Sequence, residues 1–187
     1  MKLRSVQGFS LTEMLVTLLI LALASTMLAT GVPVAMRTYH NTVNSANAQV
    51  ALSTTATALR RELSLATDIR YDGGKIYYLS PSEHCWISIG NSTDADERQG
   101  LEKQYYKGVP SDATGVAGLE ETGTPVPLIS NAVITDALNV KYGSDSGSAA
   151  VVEPAKDVIF KELRVEDAIG NHLANLDEYF VYTPFGE

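Results

Sequence analysis

The sequence predicts an α+β fold in which one long N-terminal helix packs on an antiparallel β-sheet head. Residues 14–36 contain no charged side chain, which is the length and composition of a helix that can cross a membrane. Leucine and alanine then recur every three or four residues between 52 and 66, which is the spacing of one apolar helix face. After Asp72-Gly73-Gly74, short segments of strand-forming residues alternate with turn-forming residues, a pattern typical of antiparallel strands.

Composition limits the classes of function. The chain has 187 residues, enough for one membrane segment and one modest domain, and 45% of them are apolar, as in folded proteins. Its formal net charge of −8 at pH 7 argues against a broad nucleic-acid surface. The one cysteine, Cys85, cannot form an intramolecular disulfide, and we expect it to be a small buried apolar residue.

The uncharged run from Met14 to Met36 follows two basic residues, Lys2 and Arg4. The positive-inside bias therefore predicts a cytoplasmic N-terminus, with the chain beyond Arg37 outside. The apolar run alone leaves three interpretations open. It could be a cleaved secretory signal, with Ala22-Leu23-Ala24 as its small-x-small site. It could be an uncleaved signal anchor, or a segment that is cleaved before the apolar run.

Glu13 stands at the head of this apolar run, where a carboxylate is costly in lipid and needs a reason. One reason is local. Ser10 to Glu13 fit the S-x-x-E capping box, and a negative charge in the first turn is favoured by the helix dipole. A cap accounts for the glutamate by itself, but it does not account for the residues that surround it.

The string Gln7 to Leu15, QGFSLTEML, resembles the processing site shared by type IV pilins and pseudopilins. The resemblance covers about the first 35 residues. It implies that a prepilin peptidase cuts between Gly8 and Phe9 and methylates Phe9, and that Glu13 is the glutamate typical of the family. The expected division is a leader at 1–8, a transmembrane and assembly helix at 9–36, and a helix continuation with a periplasmic or extracellular β-rich head at 37–187. Loss of the leader leaves 12 basic against 22 acidic side chains, a net charge of −10.

Cleavage would create an ammonium group at Phe9, and the resemblance implies that Glu13 of a neighbouring subunit neutralises it during assembly. A charge buried in an apolar bundle is tolerable only when it is paired, so this pair would set the register between subunits. Gly31 and Pro33 lie late in the run and predict a helix kink. The resemblance also suggests a segment that loses helicity when a subunit moves from membrane to filament.

We expect the helix to run from about Phe9 to Thr67, about 90 Å at 1.5 Å per residue. Leu52, Ala56, Leu59, Leu63 and Ala66 form the stripe that should face the head. The predicted strands are 75–79, 85–89, 101–109, 138–142, 158–165 and 178–183. Residues 110–127 and 143–150 are expected to be surface loops, and 168–171 to connect the last two strands. Residues 58–69 and this strand order are loosely similar to minor pilins and larger minor pseudopilins.

The sequence lacks the motifs that carry chemistry. There is no G-x-S-x-G, P-loop or G-x-G-x-x-G string, and no histidine pair has zinc-binding spacing (His40, His84 and His172). The acidic residues Asp94, Asp96, Glu97 and Asp145 do not fit the EF-hand template. At positions five and twelve, where the template requires calcium ligands, this chain has Arg98 and Tyr105. We therefore predict no enzyme activity, no cofactor and no metal site, and we expect half-buried strand tyrosines.

The sequence thus predicts a structural subunit, minor rather than major, of a type IV pilus-like filament. It would lie in the cytoplasmic membrane and later in a cell-surface or periplasmic filament. The partners that the resemblance implies are other pilin subunits, the prepilin peptidase, and the assembly platform and ATPase. One alternative is a pseudopilin of a type II secretion or DNA-uptake system. The other, from a different class, is an exported soluble binding domain or enzyme with an ordinary signal peptide.

Overall fold

The structure is a computed structural model that describes residues 10–92, 100–112, 115–129, 138–143, 150–152 and 158–182. The chain forms two compact units, residues 1–43 and 44–187. A single 53-residue helix, α1 (Leu11–Leu63), accounts for the described part of the first unit except residue 10. The second unit contains the remainder of α1 and all of the described strands.

Nine strands are described, and they form two antiparallel sheets. In chain order they are β1 (Ile69–Asp72), β2 (Lys75–Ser80), β3 (Cys85–Asn91), β4 (Leu101–Lys107), β5 (Glu120–Pro127), β6 (Leu138–Lys141), β7 (Ala150–Val152), β8 (Val158–Asp167) and β9 (His172–Val181). The first sheet is a meander from β1 to β5. In the second sheet β9 pairs along one edge of β8, while β6 and β7 share its other edge, one towards each end. We expected one sheet, and the described strands form two.

α1 begins at a capping residue and ends where the backbone starts to form hydrogen bonds with β2. The Glu13 N–H donates to the Ser10 hydroxyl at 3.3 Å and to the Ser10 carbonyl at 3.0 Å, so Ser10 caps the helix as predicted. At the other end, the Thr67 N–H donates to the Leu79 carbonyl and the Leu79 N–H donates to the Asp68 carbonyl. Because these residues bond to β2, the helix stops at Leu63, four residues before the predicted Thr67.

The second part of α1 packs on both sheets through the predicted stripe. Leu52, Ala56, Leu59, Leu63 and Ala66 are all buried. The core that they join takes residues from the first sheet and from the second: Ile76, Tyr78, Ile87, Ile89, Val140, Val158, Phe160 and Val165. Each large apolar side chain that is removed from water contributes about 1.5–3 kcal/mol. This apolar layer makes the fold α+β, which confirms the predicted class.

Partly buried polar contacts fix α1 on the sheets. Glu62 accepts hydrogen bonds from the Tyr78 hydroxyl at 2.8 Å and from the Lys103 ammonium at 3.0 Å. The Tyr179 hydroxyl donates to the Ala56 carbonyl at 2.7 Å. Burial, together with the negative charge of Glu62, raises the pKa of the Tyr78 phenol, so this hydroxyl keeps its proton and remains a donor.

Tyr142 joins the two sheets. Its hydroxyl lies 2.8 Å from the Ile89 carbonyl and 3.0 Å from the Gly74 carbonyl. Its backbone N–H and C=O both bond to the Asn91 side-chain amide, at 3.0 and 2.9 Å. Burial raises the pKa of the Tyr142 phenol, so the hydroxyl stays a donor to these carbonyls.

Three of the described strands were not predicted from the sequence, and others differ in length. β1 lies between the predicted end of the helix at Thr67 and the first predicted strand at 75, because Gly73 and Gly74 take φ of 56° and 81° in a two-residue turn that pairs Asp72 with Lys75. β5 lies inside the predicted loop 110–127, and β7 begins at the end of the predicted loop 143–150. β8 and β9 are longer than predicted, and residues 168–171 connect them as expected.

The pairing of β5 with β4 contains an irregularity that Gln104 fills. Lys103 lies opposite Val126 but Tyr105 lies opposite Thr122, so residues 123–125 of β5 face Gln104 alone. The Gln104 amide nitrogen donates to the Thr122 carbonyl at 3.1 Å and to the Gly123 carbonyl at 3.3 Å. Backbone acceptors that the irregular pairing takes out of the ladder are therefore satisfied by a side chain.

Replacing Gln104 with alanine should destabilise the head by about 1–3 kcal/mol, because the two carbonyls lose their donor inside the sheet. Trp86, the one tryptophan of the chain, is buried in β3 and reports unfolding by its fluorescence during urea titration of the full chain in detergent. The matched control is Thr124→Ala in the same irregularity, which is exposed and should change stability by less than about 0.5 kcal/mol. Equal effects of the two variants would contradict this role of Gln104.

Candidate functional site

The first unit presents an apolar surface on all sides of α1. Every large apolar side chain from Leu11 to Met36 is exposed, with exposed fractions between 51% at Val32 and 79% at Leu11. The most apolar 18-residue window of α1 has a mean hydropathy of 2.2, and none of it is buried. A helix that is apolar all round needs an apolar surrounding, either lipid or the helices of other proteins.

The hydroxyl groups of this segment are satisfied within the helix itself. Thr17 donates to the Glu13 carbonyl at 2.9 Å, and Ser25 donates to the Leu21 carbonyl at 2.8 Å. Thr26, Thr30, Thr38 and Thr42 bond in the same way to carbonyls three or four residues earlier. These hydroxyls therefore require no water or external partner, which suits a helix in a lipid or protein interior.

Glu13 is the one charged residue between Leu11 and Met36. It lies in the first turn of α1, where its N–H bonds to the Ser10 cap. Among the residues that the structure describes, no cationic group lies within ion-pair distance of its carboxylate. The carboxylate thus remains available to a positive charge from outside the described part of the chain.

The other predicted site residues fall into two groups. Gly31 and Pro33 lie inside α1, whose helical conformation continues through both. Pro33 has no N–H to donate to the Ala29 carbonyl, so the helix has one bond fewer here, and the kink stays a prediction. Gly8 and Phe9 lie outside the described residues, and cleavage and N-methylation at this pair also stay predictions.

The head uses its reactive residues as packing and structural groups. Cys85 is partly buried in β3 against the core, and burial, aided by the negative charge of Glu83, raises the pKa of its thiol. A thiol that keeps its proton is a poor nucleophile. No group of three or more potential metal-binding side chains occurs in the described residues. The acidic residues 94, 96, 97 and 145 lie outside them.

An ion cluster on the second sheet was not predicted from the sequence. Arg164 and Glu166 of β8 are both buried and lie 2.6 Å apart. Glu166 also lies 3.4 Å from the Lys141 ammonium and 3.3 Å from the His172 imidazole nitrogen, and Arg164 donates to the Gly143 carbonyl at 2.8 Å. Strand alternation alone places these charged side chains on the face away from the core, where we would expect them to be exposed.

A second unpredicted contact fixes a loop of the first sheet. The Arg70 guanidinium lies 4.8 Å from the Trp86 ring centroid and 2.9 Å from the Asp68 carboxylate. It also donates to the Asp112 carbonyl at 2.7 Å and to the Gly115 carbonyl. These contacts stabilise the connection between β4 and β5, and they leave no catalytic arrangement to assign to Arg70.

A family model described as the prokaryotic N-terminal methylation motif matches residues 3–29. No curated protein and no solved structure matches the chain. The matched residues include the predicted cleavage pair, Glu13 and the first part of the exposed apolar helix, and they include no strand of the head. The chain therefore carries at its N-terminus the methylation motif that is the signature of type IV pilins and pseudopilins.

Proposed function

We propose that the chain is a minor structural subunit of a type IV pilus-like filament. A prepilin peptidase cleaves the precursor between Gly8 and Phe9 and methylates Phe9. Residues 9–36 hold the subunit in the cytoplasmic membrane with the head outside, and the same helix then assembles the filament. The observation that supports this proposal is that the matched motif, residues 3–29, leads into the helix segment 11–36, whose large apolar side chains are all exposed.

Assembly exchanges one apolar surrounding for another. In the membrane the side chains of α1 contact lipid, and in a filament they contact the helices of other pilin subunits. Glu13 then pairs with the methylated ammonium of Phe9 on a neighbouring subunit. Breaking a buried ion pair by removing one partner typically costs about 3–5 kcal/mol, so a subunit that enters out of register is disfavoured. The assembly platform and ATPase supply the work, as the resemblance implies.

The head has a structural role in this proposal. Its polar residues support packing: Glu62 and Tyr179 fix α1, Tyr142 joins the sheets, and Arg70 holds a loop. Cys85 is held as a protonated thiol. None of these groups needs a catalytic explanation.

The mature N-terminus tests the proposal most directly. We expect mass spectrometry of the protein from membranes and from sheared filaments to show a chain that starts at N-methylated Phe9. A Gly8→Val variant should keep Met1, because a branched side chain replaces the residue that precedes the cut. A mature chain that starts at Ser25 would identify an ordinary secretory signal, and an intact Met1 in the unchanged protein would identify a plain anchor. Either result would overturn the pilin-type processing.

A pseudopilin of a secretion or DNA-uptake system is the second candidate, because the matched motif is shared by both classes. The two candidates differ in where the assembled protein lies. A pilus subunit is released by shearing of intact cells, whereas a pseudopilin stays with the envelope, and its deletion blocks secretion or transformation. Fractionation of sheared cells, together with both assays in a deletion strain, separates the two.

A further inference from the structure

The two sheets leave three strand edges open among the described residues. β1 is an end strand of the first sheet, but it lies beside β7 of the second sheet. β8 is covered on both sides, by β9 on one and by β6 and β7 on the other. The open edges are therefore those of β5, β9 and β6, of which β6 is only four residues long. An open edge presents unpaired N–H and C=O groups that can pair with another chain.

The edge of β5 is protected against such pairing. Pro125 and Pro127 have no N–H to offer, and Gly123 takes a φ of 76° within the irregularity opposite Gln104. Prolines and irregular pairing are the features that natural sheets use to prevent edge-to-edge association.

The edge of β9 has no proline, although its pairing with β8 shifts register at its start, between Val165 and Glu166. Its ten residues include no proline, glycine, lysine or arginine, and in the described part of the chain it pairs with β8 alone. Four consecutive residues from Asn175 to Glu178 are exposed, so side chains on both faces of the strand are accessible. β9 is thus the longest open edge among the described residues, and no proline or glycine in it blocks the addition of a strand.

The side chains of β9 indicate what could pair with it. Asp177 and Glu178 are exposed carboxylates near its middle, while Phe180 and Tyr182, exposed by 40% and 70%, alternate with the buried Val181 and so lie on the opposite face from it. Pairing with the β9 of a second copy, in a register that aligns these carboxylates, is disfavoured because like charges on adjacent strands repel. A basic strand with an apolar residue beside Phe180 is favoured for the same electrostatic and packing reasons.

We propose that the outer edge of β9 is a strand-addition site for an extended segment of another protein, with lysine or arginine beside Asp177 and Glu178 and an apolar side chain beside Phe180. Backbone hydrogen bonds to the edge would supply affinity, and alternate side chains would supply selectivity. This inference concerns the head alone, so it stands or fails independently of the proposed processing and assembly of the N-terminal helix.

The test uses a labelled, end-blocked peptide of alternating valine and lysine, titrated against the full chain in detergent and followed by fluorescence anisotropy. Two further versions of the peptide carry N-methyl groups on alternate amides, one version on the odd-numbered residues and the other on the even-numbered residues. Because successive N–H groups of an added strand point alternately towards and away from β9, one version should lose binding and the other should keep it. Equal effects of the two versions would show charge attraction without strand pairing and would overturn the proposal.

The double variant Asp177→Lys, Glu178→Lys should weaken binding of the lysine peptide by at least about tenfold and should bind a glutamate version instead. The matched control, Glu83→Lys with Glu120→Lys, makes the same charge change at exposed positions away from β9, and its affinity should stay within about twofold. Circular dichroism verifies that both variants are folded. Failure of the unchanged protein to bind at about 1 mM peptide, or dimerisation of the chain through β9, would overturn the proposal.

Discussion

Replacing Glu13 with valine should abolish filament assembly and leave cleavage and membrane insertion intact. Glu13 is the one charge between Leu11 and Met36, and its carboxylate has no cationic partner among the described residues. In the proposed filament it neutralises the ammonium of a neighbouring Phe9, and its loss leaves that charge buried without a partner. We expect the amount of protein in sheared filaments to fall at least about tenfold while the processed protein in membranes is unchanged, as measured by quantitative immunoblotting.

Two companion variants separate the charge from the helix cap. Ser10→Ala removes the hydroxyl that accepts the Glu13 N–H, which costs about 0.5–2 kcal/mol of helix stability but retains the carboxylate. It should assemble. Glu13→Gln keeps the shape of the side chain without its charge and should fail as Glu13→Val does. Normal assembly of Glu13→Val, or an equal failure of Ser10→Ala, would show that the ion pair is not what Glu13 contributes.

The N-terminal helix could be predicted because its signals are local. The uncharged run, the capping serine and the 4-3-4-3 stripe depend on residues within a few turns of one another, and the structure confirms the cap and the buried stripe. The break at Gly73-Gly74 and the connection at 168–171 were also predictable, because turn residues determine them locally. The processing pair Gly8 and Phe9 was identified by resemblance alone and stays a prediction.

The strands that the sequence did not predict depend on the strands that they pair with. β5 contains prolines and a glycine, which indicate a loop by local preference, yet an edge strand tolerates a missing N–H because that position can face solvent. β1 is four residues long and exists because β2 supplies its hydrogen bonds. The division into two sheets is decided by which strands pair, and period-two alternation contains no information on that choice.

The prediction with the largest effect on the stability of the head concerns Glu166. Three side chains converge on this buried carboxylate: the Arg164 guanidinium at 2.6 Å, the His172 imidazole at 3.3 Å and the Lys141 ammonium at 3.4 Å. Glu166→Ala removes the shared partner of these groups and leaves the buried Arg164 guanidinium with the more exposed Glu162 and with backbone carbonyl acceptors. Loss of one partner from a buried ion pair costs about 3–5 kcal/mol, and we expect a loss in this range from urea unfolding of the full chain.

A double variant shows whether this cost reflects the charges or the volume. Arg164→Met with Glu166→Leu removes both charges and keeps apolar bulk, and replacement of a complete buried pair is often neutral or stabilising. We therefore expect the double variant to be more stable than Glu166→Ala by at least about 2 kcal/mol. Lys161→Ala, an exposed charge on the same strand, serves as the matched control and should change stability by less than about 0.5 kcal/mol. If Glu166→Ala were as mild as Lys161→Ala, the cluster would contribute nothing to the stability of the head, and its charges would be only a consequence of the fold.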